Sequence, residues 1–354
     1  MYREHSVGVV VPAYNEEAFV GDVVRTLPAF VDTIFLVDDA STDGTWPEMG
    51  DVMRELEAGE GAVTDESLRW TEPSLDRRVG AADSLGRVVR VRHAENRGAG
   101  GAIKTGYLLA LEHGVDVVAT IDGDGQMDSA QLASILDPVV TGRAGYAKGD
   151  RFGGGNALEE MPPFRLVGNL LLTGLTRISS GYWRVSDPQN GFTAISRPAL
   201  QAVDIESLWE YYGYMNQLLA RLNTAGVDIA DVPMPTTYGD EESTIAYGEY
   251  IPRVSLLLLV SFLVRLRSKY AAADTSPMVA GSVVGVLLGV NTLLKRLRQA
   301  IRRRGAGSSR GELLLGVGTV LAAVLYDTTR EPAVVEESDE EEHDRTEPVV
   351  ERRR

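Results

Sequence analysis

Residues 115–127 read Val-Asp-Val-Val-Ala-Thr-Ile-Asp-Gly-Asp-Gly-Gln-Met. The mainly apolar run Val115–Ile121 has the length of a buried strand, and Asp122 and Asp124 follow it on either side of one glycine. A tight turn there directs both carboxylates to one point, which suits a hard divalent cation that bridges a diphosphate, with Gln126 as a neutral oxygen ligand. The alternative is an acidic surface turn, but the position at the end of a buried strand favours the metal–diphosphate site.

Short apolar strands alternate with helical segments on the N-terminal side of this stretch. Strands are predicted at Val7–Val11, Thr33–Val37 and Arg87–Val91, and helices at 17–27, 46–57 and 98–111. Such alternation is typical of βαβ units and predicts an α/β fold with a mainly parallel sheet. Ligands bind at the carboxyl ends of the strands in these sheets. Residues 58–86 interrupt the pattern and are interpreted as an acidic surface insertion without chemistry.

Further polar clusters follow the other predicted strands. Asp38 and Asp39 end the second strand, where a carboxylate could accept a hydrogen bond from a base edge or a ribose hydroxyl. Capping of the following loop is the alternative, and it describes Asp38 or Asp43 better than Asp39. After the first strand, Tyr14 offers a stacking surface and Glu16 a hydrogen-bond acceptor, although this segment taken alone is merely a turn and a helix cap.

The stretch Asn96-Arg-Gly-Ala-Gly-Gly-Ala-Ile-Lys opens a predicted helix. Glycines permit a close backbone approach, and a helix N-terminus favours anions. The spacing does not match the dinucleotide fingerprint, and the stretch does not directly follow a strand end. Phosphate binding and a helix entry without phosphate contact therefore both remain open.

Four of these segments together closely resemble the family 2 glycosyltransferases, which have the GT-A fold. The resemblance covers about residues 6–270, and its motifs are Val11-Pro-Ala-Tyr-Asn-Glu, Val37-Asp-Asp-Ala-Ser-Thr-Asp-Gly-Thr, Asn96-Arg-Gly and Asp122-Gly-Asp-Gly-Gln-Met. Within the family the chain is most similar to the dolichyl- and polyprenyl-phosphate sugar synthases. That narrower match uses Gly149-Asp-Arg-Phe, Phe164-Arg-Leu-Val-Gly-Asn and Asp187-Pro-Gln-Asn-Gly-Phe.

The resemblance implies a role for each matching residue. Nucleotide-sugar contacts are implied for Pro12, Tyr14, Glu16, Val37, Asp39 and Asp122. A divalent cation, Mg²⁺ or Mn²⁺, is implied at Asp122, Asp124 and Gln126. Acceptor contacts are implied for Arg165 and Asn169. Catalytic roles are implied for Asp124, Arg151 and Arg165, of which Arg151 matches an arginine near the donor and acceptor phosphates.

The implied reaction is an inverting, metal-dependent transfer of a hexose from a nucleotide sugar to a polyprenyl or dolichyl phosphate, which makes a lipid-linked sugar for glycosylation. The donor is left open between a GDP-linked and a UDP-linked sugar. Mannosyl synthases usually carry an arginine and a lysine around a late Gly-Glu-Ser, and residues 236–245, Thr-Thr-Tyr-Gly-Asp-Glu-Glu-Ser-Thr-Ile, contain neither base. This departure weakens a GDP-mannose assignment.

Two other functions compete with this interpretation. The first is a family 2 enzyme that acts on a sugar hydroxyl in glycan or polysaccharide assembly, which needs a general base near the acceptor. Asp187 or Glu210 could supply that base. The second is a non-catalytic membrane scaffold built on a decayed transferase domain, and the intact Asp39, Asp122 and Asp124 argue against it.

Composition excludes several classes of site and partner. The chain has 354 residues, a net charge of −16 and no cysteine, so disulfides, thiolate nucleophiles and zinc–cysteine sites are excluded. Its four histidines are too scattered for a metal cluster, and the negative charge makes nucleic acid a poor partner. Only four of its 35 basic residues are lysines. This acidic, lysine-poor balance predicts a halophilic archaeon as the source, with GC-rich codon bias as the alternative.

The predicted organisation is a GT-A domain over residues 1–250, a membrane-associated helical segment over 251–330 and a disordered acidic tail over 331–354. Of three uncharged runs, at 254–264, 275–294 and 313–326, only the second reaches the roughly 20 residues that span a bilayer. An amphipathic helix packed on the domain is the alternative for that run. The expected location is the cell membrane with the catalytic domain facing the cytoplasm, and a re-entrant segment is favoured over a true hairpin.

Overall fold

The computed structural model describes residues 1–58, 70–153, 163–234, 247–270, 327–328 and 332–336. For 163–167, 169, 247–251 and 270 only the backbone is considered. Residues 275–294 and 313–326, the two longer uncharged runs, lie outside the described ranges. The domain boundaries and the choice between a re-entrant segment and a hairpin therefore stay predictions.

The described residues form a nine-stranded sheet that is mainly parallel, as the alternating pattern predicts. Its strands are β1 (Val7–Ala13), β2 (Thr33–Asp38), β3 (Val79–Leu85), β4 (Val88–His93), β5 (Val117–Thr120), β6 (Tyr146–Asp150), β7 (Thr193–Ser196), β8 (Ile229–Pro233) and β9 (Val334–Glu336). They lie in the order β3-β4-β2-β1-β5-β7-β6-β8-β9, and only β3 and β7 run antiparallel to their neighbours. The carboxyl ends of β1, β2, β4, β5 and β6 consequently share one edge.

Helices cover both faces of this sheet. They are α1 (Val20–Arg25), α2 (Thr45–Leu56), α3 (Pro73–Arg78), α4 (Ala99–His113), α5 (Leu132–Val140), α6 (Pro163–Ser180), α7 (Arg197–Ala202), α8 (Tyr214–Thr224) and α9 (Tyr247–Tyr270). Apolar residues of α1, α2 and α5 build the core on one face, and those of α3, α4, α7 and α8 build it on the other. Because both faces are covered, the central strands are apolar almost throughout.

Two segments differ from the sequence-based expectation. A helix is predicted over 208–224, but α8 begins at Tyr214, after Gly213 with a φ of +98°. Residues 209–211 instead pack on the first turn of α4, where a Cβ on Gly100 would lie 2.5 Å from the Trp209 carbonyl oxygen. The described part of the 58–86 insertion forms α3 and the edge strand β3, since Val79–Leu85 pair with the largely buried strand β4.

The described C-terminal residues pack back against α6 and the sheet. The guanidinium of Arg265 on α9 is fully buried, donates to the carbonyl oxygens of Ser179 and Ile178, and lies 2.8 Å from Asp327. β9 pairs in parallel with β8, and the amide of Ala333 donates to Asp228. The predicted disordered tail thus differs from the structure at 334–336, because two adjacent valines are apolar enough to extend the sheet.

α9 packs against α6 and α8 with one face and exposes the other. Its described residues include the uncharged run 254–264. None of the helices among the described ranges has the length and apolar character needed to cross a membrane. The predicted C-terminal membrane helices are therefore not confirmed.

Candidate active site

The Asp122–Gln126 turn leaves the end of β5 at the shared carboxyl edge. The amide of Gly123 donates to the carbonyl oxygen of Pro12 over 3.0 Å, so the turn is tied to β1. The amide of Gln126 donates to Asp124 Oδ1 over 3.0 Å, and Gly125 takes a φ of +75° that favours glycine. The structure thus brings the three predicted metal ligands into one turn.

Asp122 is electrostatically unusual. Burial, together with the negative charge of Asp124, raises the pKa of its carboxyl from 3.8 to about 7. Both causes penalise the ionised form, and a cation bound between the two carboxylates would offset both of them.

Asp39 lies deeper in the same edge and is only 3% exposed. Its Oδ1 accepts a hydrogen bond from the amide of Arg97 over 2.8 Å and lies 2.6 Å from Nδ1 of His93, which is itself buried. Nε2 of His93 lies 2.8 Å from Thr105 Oγ1 on α4. Asp39 is thereby fixed between β2, β4 and α4.

The remaining predicted nucleotide contacts lie on β1, β2 and the loop after β1. Pro12 and Val37 are cross-strand partners, and Val37 is fully buried. Tyr14 is 47% exposed, which leaves its ring accessible for stacking. The amide of Glu16 donates to Thr45 Oγ1 over 2.7 Å, so the loop is tied to the start of α2.

Asp38 and Asp43 have the loop-holding contacts of the capping interpretation. Asp38 is fully buried, accepts the amide of Ser41 over 2.9 Å and lies 3.2 Å from Arg92 Nε. Asp43 accepts both the amide and the hydroxyl of Thr45. These contacts stabilise the turn that presents Asp39.

Arg151 follows β6 and is held in a fixed orientation by Asp187. Its Nε and one terminal nitrogen donate to the two carboxylate oxygens of Asp187 over 2.7 and 3.0 Å. Asp187 is 2% exposed, whereas the Arg151 side chain is 35% exposed. The loop that carries Asp187 also reaches the Asp122–Gln126 turn, because a Cβ on Gly191 would lie 2.9 Å from Asp122 Oδ2. A single loop therefore touches both predicted phosphate-binding elements.

The acceptor motif lies on α6, with Arg165 in its first turn and Asn169 one turn later. The side chains of both residues fall outside those described. Their predicted contacts with the acceptor phosphate therefore stay predictions.

The glycines of the 96–104 stretch serve close packing. The amide of Gly101 donates to the carbonyl oxygens of Gly98 and Glu210 over 2.8 and 2.7 Å, and a Cβ on Gly98 would lie 2.9 Å from the Glu210 carbonyl oxygen. The loop around Glu210 thus occupies the N-terminal end of α4. These contacts favour the helix entry without phosphate contact.

Glu210 lies among three cationic side chains. Its carboxylate accepts from Lys104 over 2.8 Å and from Arg97 over 3.3 Å, and it also pairs with Arg78. Burial acts to raise the pKa of Glu210, but the hydrogen bond from Lys104 and the surrounding positive charges outweigh it and lower the pKa. A carboxylate held in this way is a weak proton acceptor.

Two site residues have roles that sequence reasoning missed. Sequence reasoning assigns His93 no role, since the four histidines are too scattered for a metal cluster, and it indicates Asp187 only as a possible general base. The structure places His93 against Asp39 and Asp187 against Arg151. A polar residue at the carboxyl end of an apolar strand is the available signal for His93, whereas the partner of Arg151 is 36 residues away in sequence.

Comparison with known proteins identifies the family of this chain. The model of the family described as glycosyl transferase family 2 matches residues 8–57 and 73–204. A UDP-N-acetylglucosamine–dolichyl-phosphate N-acetylglucosaminyltransferase of Methanococcus voltae is 30% identical over 231 residues, which are 65% of this chain and 85% of that protein. An undecaprenyl-phosphate mannosyltransferase of Micrococcus luteus is 28% identical over 66% of this chain and 83% of that protein.

Two further similarities are weaker. Glycosyltransferase AglD of Haloferax volcanii is 28% identical over 64% of this chain, but only 32% of AglD is covered. The crystal structure of glucosyl-3-phosphoglycerate synthase from Mycobacterium tuberculosis with uridine diphosphate has 20% identity and a TM-score of 0.47, over 74% of this chain and 80% of that one. On the family match and the sequence relatives, the chain is a transferase that belongs to glycosyl transferase family 2.

Proposed function

We propose that this protein transfers a hexose from a nucleotide sugar to the phosphate of a polyprenol such as dolichol, with inversion at the anomeric carbon. The observation that carries the proposal is the loop from Asp187 to Gly191, which fixes Arg151 and lies against Asp122. An anion-binding guanidinium and a diphosphate-binding turn are thereby linked at one edge of the sheet. Since β5 and β6 are separated only by β7, they lie about 10 Å apart.

A phosphate acceptor explains what the residues at this edge do. The acceptor oxygen is already anionic, so the nucleophile needs no strong base. What remains is orientation and charge neutralisation, for which a guanidinium held by Asp187 is preorganised. Arg165 would hold the acceptor phosphate from the first turn of α6, with Asn169 one turn further.

The Asp122 turn suits a divalent cation, Mg²⁺ or Mn²⁺. Asp122, Asp124 and Gln126 are the oxygen donors that hard cations prefer. Within the described ranges no group of three or more His, Cys, Asp or Glu could hold a metal, so the rest of the coordination would come from diphosphate oxygens and water. The raised pKa of Asp122 supports the fit, because a bound cation would relieve the cost of its ionised form. When bound, the ion would stabilise the charge of the leaving nucleoside diphosphate.

A UDP-linked sugar is the proposed donor. Residues 236–245 lack the arginine and lysine expected of enzymes that use GDP-mannose. The 30% identical relative from Methanococcus voltae is named for a UDP-linked donor, and it acts on dolichyl phosphate. Both observations favour uridine over guanosine.

We further propose that the catalytic domain lies on the cytoplasmic face of the cell membrane. Two exposed apolar stripes support this location. One stripe on α6 contains Leu171, Leu175 and Ile178, and the other on α9 contains Leu256, Val260 and Val264. The α6 stripe begins just after the acceptor motif, so a lipid held there by its phosphate would lie beside an apolar surface.

A sugar-hydroxyl acceptor is less well supported. The two carboxylates that could act as its general base are Asp187 and Glu210. Asp187 is occupied by Arg151, and Glu210 has a lowered pKa among three cations. Neither carboxylate therefore has an environment that suits a base that must take a proton from a hydroxyl.

The test is transfer of label from a panel of UDP- and GDP-sugars into an acid-labile lipid by membranes that contain the protein. We expect labelling from a UDP-sugar, dependent on Mg²⁺ or Mn²⁺, and its loss in Asp124→Asn. Asp51→Asn is the matched control, because Asp51 is an exposed aspartate on α2. Label in a glycan without a lipid-phosphate intermediate would overturn the proposal, and so would full turnover by Asp124→Asn with the wild-type cation requirement.

A further inference from the structure

Beneath the Asp187 loop lies a buried ion pair that the proposed chemistry does not use. Lys148 on β6 is fully buried, and its Nζ lies 2.7 Å from Asp231 Oδ1 on β8. The two residues are register partners on adjacent parallel strands. A buried ion pair of this kind is often no more stabilising than an apolar pair of similar volume, so stability alone does not account for it.

The second oxygen of Asp231 connects the pair to the active-site loop. Asp231 Oδ2 accepts hydrogen bonds from the amide of Ser186 over 2.9 Å and from its hydroxyl over 3.1 Å. The next residue is Asp187, whose carboxylate holds Arg151. A continuous chain of contacts thus runs from the buried ammonium to the guanidinium at the surface.

We propose that Asp231, paired with Lys148, is a positioning residue for Arg151. Two hydrogen bonds to one carboxylate oxygen fix the backbone and the side chain of Ser186 together. That fixes the direction in which Asp187 leaves the loop, and hence the orientation of Arg151. An ionised acceptor makes stronger hydrogen bonds than a neutral one, so the charge on Asp231 sets how firmly the loop is held. This inference rests on the proposed function, in which Arg151 contacts the acceptor phosphate.

The consequence is a specific pattern of defects. Displacement of a positioned group by about 1 Å can cost on the order of 100-fold in rate. In Asp231→Asn an amide oxygen can still accept from Ser186, but without charge. We expect kcat to fall at least tenfold and the KM for polyprenyl phosphate to rise, while the dissociation constant of UDP stays within about twofold of wild type.

A double variant separates positioning from stability. Asp231→Asn alone leaves Lys148 buried without a counter-charge and destabilises the fold, whereas Lys148→Met combined with Asp231→Asn leaves no buried charge and should recover most of the thermal stability. We expect the double variant to keep the tenfold loss of kcat. Recovery of activity together with stability would show that the pair is only structural and would overturn the inference.

The control is Asp83→Asn, which breaks the pair between Asp83 and Arg90 at the opposite edge of the sheet. We expect it to lower thermal stability without changing the ratio of the KM for polyprenyl phosphate to the dissociation constant of UDP. Equal changes of this ratio in Asp83→Asn and Asp231→Asn would also contradict the positioning role.

Hydrogen exchange tests the inference without any assay of transfer. The peptide that covers residues 186–192 should exchange at least tenfold faster in Asp231→Asn and in the double variant than in wild type, and at the wild-type rate in Asp83→Asn. Unchanged protection of this peptide would refute the positioning role. If wild-type protein transferred no sugar to any polyprenyl phosphate, the proposed function would fail, while the exchange result would still decide whether Asp231 fixes the loop.

Discussion

Replacement of Asp122 by asparagine should stabilise the metal-free protein at alkaline pH, although it removes a predicted metal ligand. The cause is the raised pKa of Asp122, which burial and the charge of Asp124 shift from 3.8 to about 7. Between these two values the folded protein keeps a proton that the unfolded chain loses. The free energy of unfolding of wild type therefore falls as pH rises from about 4 to about 7, and it stays lowered above that range.

The difference of about 3 pKa units corresponds to at most about 4 kcal/mol at 1.36 kcal/mol per unit. Asp122 retains some exposure to solvent, which screens part of this penalty, so about 2–4 kcal/mol is expected at pH 8. Asparagine has nearly the same volume and no charge. Asp122→Asn should therefore recover this free energy at pH 8, and it should differ little from wild type at pH 4.

The assay is urea unfolding in a chelator at pH 4, 6 and 8, compared for wild type, Asp122→Asn and the exposed control Asp51→Asn. The stability gap between wild type and Asp122→Asn should open between pH 4 and 8, while the control should follow wild type. Adding Mn²⁺ at 100 times its dissociation constant should stabilise wild type by about 3 kcal/mol and leave Asp122→Asn almost unchanged. A gap independent of pH would refute the electrostatic reasoning, and equal stabilisation of both proteins by Mn²⁺ would refute the metal role.

Three further perturbations test other parts of the molecule. Arg165→Lys should raise the KM for the lipid phosphate and leave the donor KM unchanged, because the ammonium of lysine does not replace the two parallel hydrogen bonds that a planar guanidinium makes to a phosphate. Steady-state kinetics with each substrate varied would check this. Leu256→Glu should lower several-fold the fraction of protein that sediments with anionic vesicles, whereas Ala81→Glu, at an exposed position on β3, should not. Asp327→Ala should lower the free energy of unfolding by about 3–5 kcal/mol, because it leaves the buried guanidinium of Arg265 uncompensated, and chemical denaturation would measure the loss.

The parallel part of the sheet could be predicted because it is encoded locally. Each of β1, β2 and β5 is a short, mostly apolar run followed by polar residues, and β4 is a buried, valine-rich strand that ends in Arg92 and His93. The positions of those ends along the chain are enough to define the ligand-binding edge. The positions of the Asp122–Gln126 turn and of Asp39 follow from the same pattern. The family resemblance adds Arg151, which spacing alone does not single out.

The edges of the sheet could not be predicted, because they depend on partners that are distant in sequence. β3 is partly exposed and has weak alternation, so it becomes a strand only through its pairing with β4. β9 has three residues in a stretch that is otherwise acidic, and it is held by β8, which lies about 100 residues earlier. α8 begins six residues later than predicted, because the 209–211 loop packs on glycines at the start of α4.

The lysines of this chain also depend on partners that are distant in sequence. Arginine supplies nearly all of the positive charge, yet each lysine in the described ranges takes part in an ion pair. Lys104 and Lys148 are 5% and 0% exposed. Between two adjacent strands an ammonium fits where a planar guanidinium would overpack the core. The geometry at position 148 therefore favours lysine over arginine, and Lys148→Arg should disturb the Asp187 loop although the charge is kept.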